Sequence, residues 1–224
     1  MELKQVVPWG RSFAEYQRMF GLTKGDLSKR ILGCGDGPAS FNAELTAQGG
    51  HVVSVDPTYV FDAKQLAERI DEVYAEIMPQ MEATQGKYIW DDIASVAALG
   101  EVRMAAMQQF LADFEQGKTD QRYLAGALPN LPFDDDTFDL ALCSHFLFLY
   151  SEQVDQEAHI AAMCELVRVA KEVRVYPLVT LKGELSPYLN PVMEALAAQG
   201  CECELVESEY RFQQGATQVL VVKK

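Results

Sequence analysis

Two apolar periods run along this chain, one helical and one of short strand-length runs. Residues 12–20 place Phe13, Tyr16 and Phe20 on one helical face, with Ser12 in position to cap it. Residues 30–32 predict a short first strand. The glycine-rich turn Gly33-Cys34-Gly35-Asp36-Gly37-Pro38 follows, and Pro38 suits the first position of a helix reaching Gln48. Gly49-Gly50 ends that helix, and residues 51–56 form a second strand closed by Asp56.

About 60 residues then separate the second strand from the third, where a crossover needs only a single helix. Leu66, Ile70, Val73, Ile77 and Met81 recur at spacings of three and four, as do Ile93, Ala97, Gly100, Met104, Met107, Leu111 and Phe114. They predict two long amphipathic helices broken around Gln85-Gly86-Lys87. Residues 122–126 and 138–143 read as the third and fourth strands. Ser151 stands to cap a helix to Ala170, and residues 172–178 are the fifth strand. A helix opens at Ser186-Pro187 and closes at Gly200. Residues 201–207 and 217–222 are separated only by a loop, so they pair antiparallel.

Strands alternating with helices predict an α/β fold. It is a three-layer sandwich around a seven-stranded, mostly parallel sheet with an antiparallel last strand. Residues 1–224 are expected to form a single domain, with an N-terminal helical segment over 1–28. Residues 62–118 are a helical insertion between the second and third strands, serving as a cap on a pocket or as a dimer seam.

Charge and cysteine content narrow the partners. Net charge is -14 with no concentrated basic patch, which disfavours nucleic acid and acidic lipid surfaces. The five cysteines are odd in number and form no CxxC pair, which argues against a zinc site and for a reducing cytosol. Residues 1–5 lack the apolar core of a signal peptide. No apolar run reaches the roughly 18–20 residues that span a bilayer. The expectation is a soluble, cytoplasmic protein, with a homodimer possible through the inserted helices.

The chemistry concentrates at the glycine turn. Glycines let backbone approach a ligand, and a carboxylate closing the next strand can accept both hydroxyls of a ribose. A dinucleotide loop would read GxGxxG, but Pro38 stands where its last glycine belongs, and no Gly-Lys-Ser/Thr of a P-loop follows. Gly33-Cys34-Gly35-Asp36-Gly37 with Val55-Asp56-Pro57 resembles the first two motifs of class I S-adenosylmethionine-dependent methyltransferases. Leu131-Pro132-Phe133 through Phe138-Asp139 is similar to a block that leads into the fourth strand in the small-molecule branch of that family.

The resemblance implies a methyl transferase with S-adenosylmethionine as cofactor. Gly33, Gly35 and Gly37, with Cys34 among them, would line the methionine part. Asp56 would hold the ribose, Pro57 and Leu128 would flank the adenine, and Ser144 and His145 would border the transferable methyl. Two departures stand out. The family usually carries an acid where this chain has Ile31, and often an Asp where it has Ala127. Asp36, Arg11 and Tyr16 are the candidates to compensate, and Arg11 joins the cofactor set. Cys143, at a strand end, lacks a preceding proline and an activating base, so it reads as a buried thiol.

The expected acceptor is a small molecule, since no Asn/Asp-Pro-Pro-Tyr block follows the fourth strand. A catalytically silent S-adenosylmethionine-binding scaffold, a nicotinamide-dependent oxidoreductase and a protein methyltransferase remain as alternatives.

Overall fold

The structure is a computed structural model in which residues 7–224 are described. The start of the N-terminal segment therefore lies outside the described residues. Seven strands form one sheet: β1 (Arg30–Cys34), β2 (His51–Asp56), β3 (Tyr123–Ala125), β4 (Leu140–Ser144), β5 (Glu172–Tyr176), β6 (Glu202–Glu207) and β7 (Gln218–Lys223). Their order is β3-β2-β1-β4-β5-β7-β6. Only β7 runs against its neighbours, as expected from the short loop before it. The central strands β1 and β4 are buried on both faces, which is why they read as continuous apolar runs rather than alternating ones.

Helices α1 (Phe13–Phe20), α2 (Lys24–Leu27), α3 (Phe41–Ala47), α4 (Ala63–Ala83), α5 (Val96–Thr119), α6 (Gln156–Val169) and α7 (Leu189–Ala197) complete the layers. Ser12 caps α1 in a reciprocal capping box with Glu15, as its sequence predicts. Phe13 and Tyr16 stack on Phe41 at 5.6 and 4.7 Å between ring centroids, so the aromatic stripe of α1 is packing. Tyr16 alone on this stripe also carries its polar tip into the site.

Three expectations change. Pro38 is not the first residue of α3. The left-handed φ of Gly35 and Gly37 (70° and 51°) spends three more residues on the turn, and the helix starts at Phe41. Ser151 does not cap α6; Asp155 does. The Ser151 hydroxyl instead donates to the Phe148 carbonyl and meets Ser186 Oγ.

The third change concerns α5. Its buried face runs through Val96, Leu99, Arg103, Ala106, Met107, Phe110 and Phe114, so Ala97 is exposed and Met104 and Leu111 are only half-buried at its edge. The cause is Arg103, which is fully buried and ion-paired, against every hydropathy-based placement. On α4 all five residues of the predicted stripe are buried. Gly100 lets the two inserted helices approach, since a Cβ there would meet Tyr74 Oη at 2.3 Å. The heptad-like stripe of α4 is thus covered within the chain, whereas that predicted for α5 is covered only in part.

Candidate functional site

The strand order reverses between β1 and β4, and at such a switch point the carboxyl ends of parallel strands frame a crevice. Cys34, Asp56 and Ser144 end β1, β2 and β4 on this edge. A cavity of about 270 Å³ lies here, near the lower end of the roughly 300–1,000 Å³ range of ligand pockets.

Nine of the ten sequence-predicted site residues line it: Arg11, Cys34, Gly35, Gly37, Asp56, Pro57, Leu128, Ser144 and His145. Gly33 does not. It sits inside β1, and a Cβ on it would fall 1.8 Å from Asp36 Oδ2, so the space over Gly33 is filled by that carboxylate. Gly33 therefore acts on the site by making room for Asp36. Around Gly37 the space is open, with Asp56 Oδ2 the nearest atom at 4.0 Å from a built Cβ.

Two buried carboxylates stand at this end of the cavity. Asp56 caps the short 3-10 turn Pro57–Val60. Its Oδ1 accepts from Thr58 N (2.8 Å) and Thr58 Oγ1 (2.5 Å), and its Oδ2 from Gly37 N (2.9 Å). Each oxygen of an ionised carboxylate has two lone-pair directions, so ligand hydroxyls can still be accepted beside these bonds. Asp36 accepts from Ser54 Oγ at 2.6 Å and Tyr16 Oη at 2.9 Å. Burial lifts its carboxyl; the two hydroxyls pull it down less than burial and the Asp56 charge push it up, and it settles at about 6. Burial likewise raises Asp56 against its bonds to Thr58 and Gly37.

Just beyond β4, His145 has a left-handed φ of 53°, held by its N–H donating to the Tyr176 carbonyl at 2.7 Å. Its Nδ1 is 2.9 Å from Ser144 Oγ. Burial, then the Arg11 and Arg103 charges, hold its imidazole well below the usual histidine range, so it is neutral. Arg11 donates to the Trp9 carbonyl, and its Nε is buried without a partner. Burial and the neighbouring Arg103 bring its guanidinium down to about 10.

Arg103 itself pairs with Glu15 at 2.7 Å and reaches Tyr210 Oη at 3.3 Å. This cluster ties α1, α5 and the β6–β7 connection together behind the cavity. Cys143 is a protonated thiol, pushed by burial to about 12. No helix among the described residues is long and apolar enough to cross a membrane, and no cluster of His, Cys, Asp and Glu there could hold a metal.

The rest of the lining is apolar and aromatic: Trp9, Ile77, Met81, Tyr88, Tyr150 and Phe212 among others, with Gln213 beside them. Ile77 and Met81 lie on the apolar stripe of α4, so the pattern of the chain pointed at them as buried, though not at what they face. Tyr88 and Phe212 stack at 5.0 Å across a bridge that joins the insertion to the β6–β7 connection. Neither lies in a motif, and nothing local in the sequence marks them.

No protein-family model matches the chain. It is 28% identical over 225 residues, spanning 100% of its own length and 99% of the relative's, to the uncharacterized protein MJ0045 of Methanocaldococcus jannaschii. Among solved structures it is similar to the magnesium protoporphyrin IX methyltransferase of Synechocystis (12% identity, TM-score 0.46, 95% of this chain and 90% of that one). It is also similar to a TehB-like methyltransferase of Corynebacterium glutamicum (16%, 0.46, 88% and 81%). At these scores the chemistry has to be read from the residues of the site. The sheet itself decides the architecture, through its strand order and its one reversed strand. The fold is the Rossmann-like fold of class I methyltransferases.

Proposed function

We propose that this chain transfers a methyl group from S-adenosylmethionine to a small-molecule acceptor. The observation that carries the reading is the pair of buried carboxylates, Asp36 and Asp56, beside the left-handed glycine turn in a largely apolar cavity. Both are held above the usual carboxylate range by burial, so a ligand bringing hydroxyls and positive charge would relieve them. A nucleoside with a sulfonium has both.

In this reading Asp56 accepts the ribose hydroxyls. Pro57 and Leu128 flank the base, and the open space at Gly37 admits the ligand beside the turn. Arg11, with its unpartnered Nε, meets the carboxylate of the methionine part. When bound, the sulfonium supplies an electrophilic methyl. The chain must then hold the acceptor in line with it and keep water out. The aromatic wall of Trp9, Tyr88, Tyr150 and Phe212 serves that purpose, with α4 contributing Ile77 and Met81, so the 62–118 insertion acts as a wall of the acceptor space. Ser144 and His145 border the methyl end.

Calorimetric titration with S-adenosylhomocysteine tests the donor half. The wild type should bind. Asp56→Ala, losing charged hydrogen bonds worth about 1.5–3 kcal/mol, should bind about 10- to 100-fold more weakly. Transfer of labelled methyl from S-adenosylmethionine into a metabolite extract tests the enzyme half. Absence of binding overturns the proposal, and binding without transfer leaves a donor-binding protein in place of an enzyme.

A further inference from the structure

Beside the cavity just described lies a second one of about 170 Å³, and Tyr88, Leu181 and Gln213 line both. It faces outward: Lys87, Lys182, Gln214 and Gly215 on its wall are exposed. Three stretches of chain build it. Residues 87–89 bond to the β6–β7 connection, with Ile89 N donating to the Phe212 carbonyl at 2.7 Å and Gln214 N to the Lys87 carbonyl at 3.0 Å. The Gln213 amide donates to the Thr180 carbonyl at 2.9 Å, which brings in the turn after β5. Gly183 and Gly215 both take left-handed φ (86° and 81°), and a Cβ on Gly215 would fall 2.9 Å from the Gly183 carbonyl oxygen. That close approach of backbone holds the turn carrying Lys182 against the connection to which Lys87 is bonded.

The two cavities differ in chemistry. The inner one is aromatic where they adjoin, since Tyr88 stacks on Phe212 and both line it. The outer one has two lysines and no acid in its lining. Lys182 pairs with Glu152, and Lys87 Nζ has no ion pair among the described residues. The whole chain carries 33 acidic against 19 basic residues, a net charge of -14, so its overall field repels anions. A wall whose only charges are cations reverses that field locally, at the outer face of the aromatic cavity. A neutral ligand would gain nothing from this reversal. An anionic one would need it.

We infer that the methyl acceptor is an aromatic anion, whose ring lies in the aromatic part of the inner cavity and whose acid group reaches Lys87 and Lys182 in the outer one. The word acceptor rests on the methyl-transfer reading above; the anion site itself does not. Ser144 and His145, which border the methyl in that reading, line the inner cavity alone. The acid group is therefore a handle that orients the ring and is not the atom methylated. Lysine suits such a handle, because its ammonium is a point charge on a flexible stem and sets no fixed geometry on the anion. Tyr88 and Gln213, which touch both spaces, position the ring between the two.

Calorimetric titration of the full chain with 2-naphthoate and with 2-naphthamide, its uncharged analogue, separates ring from charge. The wild type should bind the acid about 3- to 10-fold more tightly than the amide. Lys87→Glu should erase that preference and leave binding of the amide within about twofold. Lys64→Glu makes the same change in net charge on an exposed residue at the other end of α4 from Met81, and should keep the preference. Equal binding of acid and amide by the wild type overturns the inference, as does a preference that survives Lys87→Glu or is lost equally in Lys64→Glu. A preference lost in Arg11→Met but kept in Lys87→Glu places the anion on the inner wall and overturns it too. Titration of the same wild-type sample with S-adenosylhomocysteine distinguishes the two ideas: a protein that prefers the acid yet does not bind S-adenosylhomocysteine sinks the donor reading and leaves a binding site for aromatic acids.

Discussion

Replacing Asp36 by Asn should make the protein relatively more stable as pH rises. The Asp36 carboxyl is almost wholly buried and sits at about 6 instead of its usual 3.8. A carboxyl raised on folding favours the native state while it is protonated. That contribution is complete below the unfolded value and is lost as pH rises through the folded one. Once both states are ionised, the folded protein carries a penalty of about 3 kcal/mol from this one group. Asn has the same shape and does not ionise, so it escapes the penalty. It keeps one oxygen to accept a hydroxyl, while its NH2 requires either Tyr16 or Ser54 to turn and accept, a cost that does not vary with pH.

The prediction is therefore a slope. The stability of Asp36→Asn minus that of the wild type should grow by about 1–2 kcal/mol between about pH 5 and about pH 7.5. For a domain of this size that is a relative gain of about 3–6 °C in Tm. Urea unfolding of both proteins across that range measures it, and all groups common to the two cancel. A difference independent of pH would show that Asp36 is not held in the strained ionised state on which the proposed donor site depends. A difference of the opposite sign would mean that the surroundings favour its charge.

Three further outcomes follow from the packing around the site. Gly33→Ala places a methyl 1.8 Å from the Asp36 carboxylate and must displace it from Ser54 and Tyr16; a loss of about 3 kcal/mol in urea unfolding is expected. Gly86→Ala, where a built Cβ meets nothing within 4 Å, should stay within about 0.5 kcal/mol of wild type in the same assay. Arg103→Met leaves the buried Glu15 carboxylate without its guanidinium and should cost about 3–5 kcal/mol. Burial works to raise that carboxyl, but Arg103, Arg11, Ser12 and Tyr210 outweigh it and hold it at about 2, so wild-type stability from this group is present above 4.5 and lost as pH falls toward 2. Acid unfolding curves of Arg103→Met should lose part of that slope.

The difference between what the chain announces and what it hides follows physical lines. Strands β1 and β4 are legible because strands buried on both faces are apolar nearly throughout, and the α4 stripe because one buried helical face recurs every three or four residues. Motif spacing brought nine named residues to one cavity because the turn, the end of β2 and the end of β4 are each a short walk from a strand whose place in the sheet is fixed. Failures came where a polar group replaced an apolar one in the interior. The face of α5 is hidden from pattern because Arg103, polar by every scale, is its largest fully buried side chain. Gly33 was assigned to the ligand because nothing local says that Asp36 folds back over it.

These failures share a cause with the function proposed. A buried arginine and a buried carboxylate are stable only through partners contributed by distant segments: Glu15 and Tyr210 for one, Tyr16 and Ser54 for the other. Local pattern cannot see such partners, and selection for stability alone would replace the groups with apolar ones. The buried Asp36 carboxylate also bears on Ile31, where an acid is expected from the resemblance. Ile31 is wholly buried in the apolar core, and the carboxylate instead stands five residues later in the turn, where it lines the cavity and accepts from Tyr16 and Ser54.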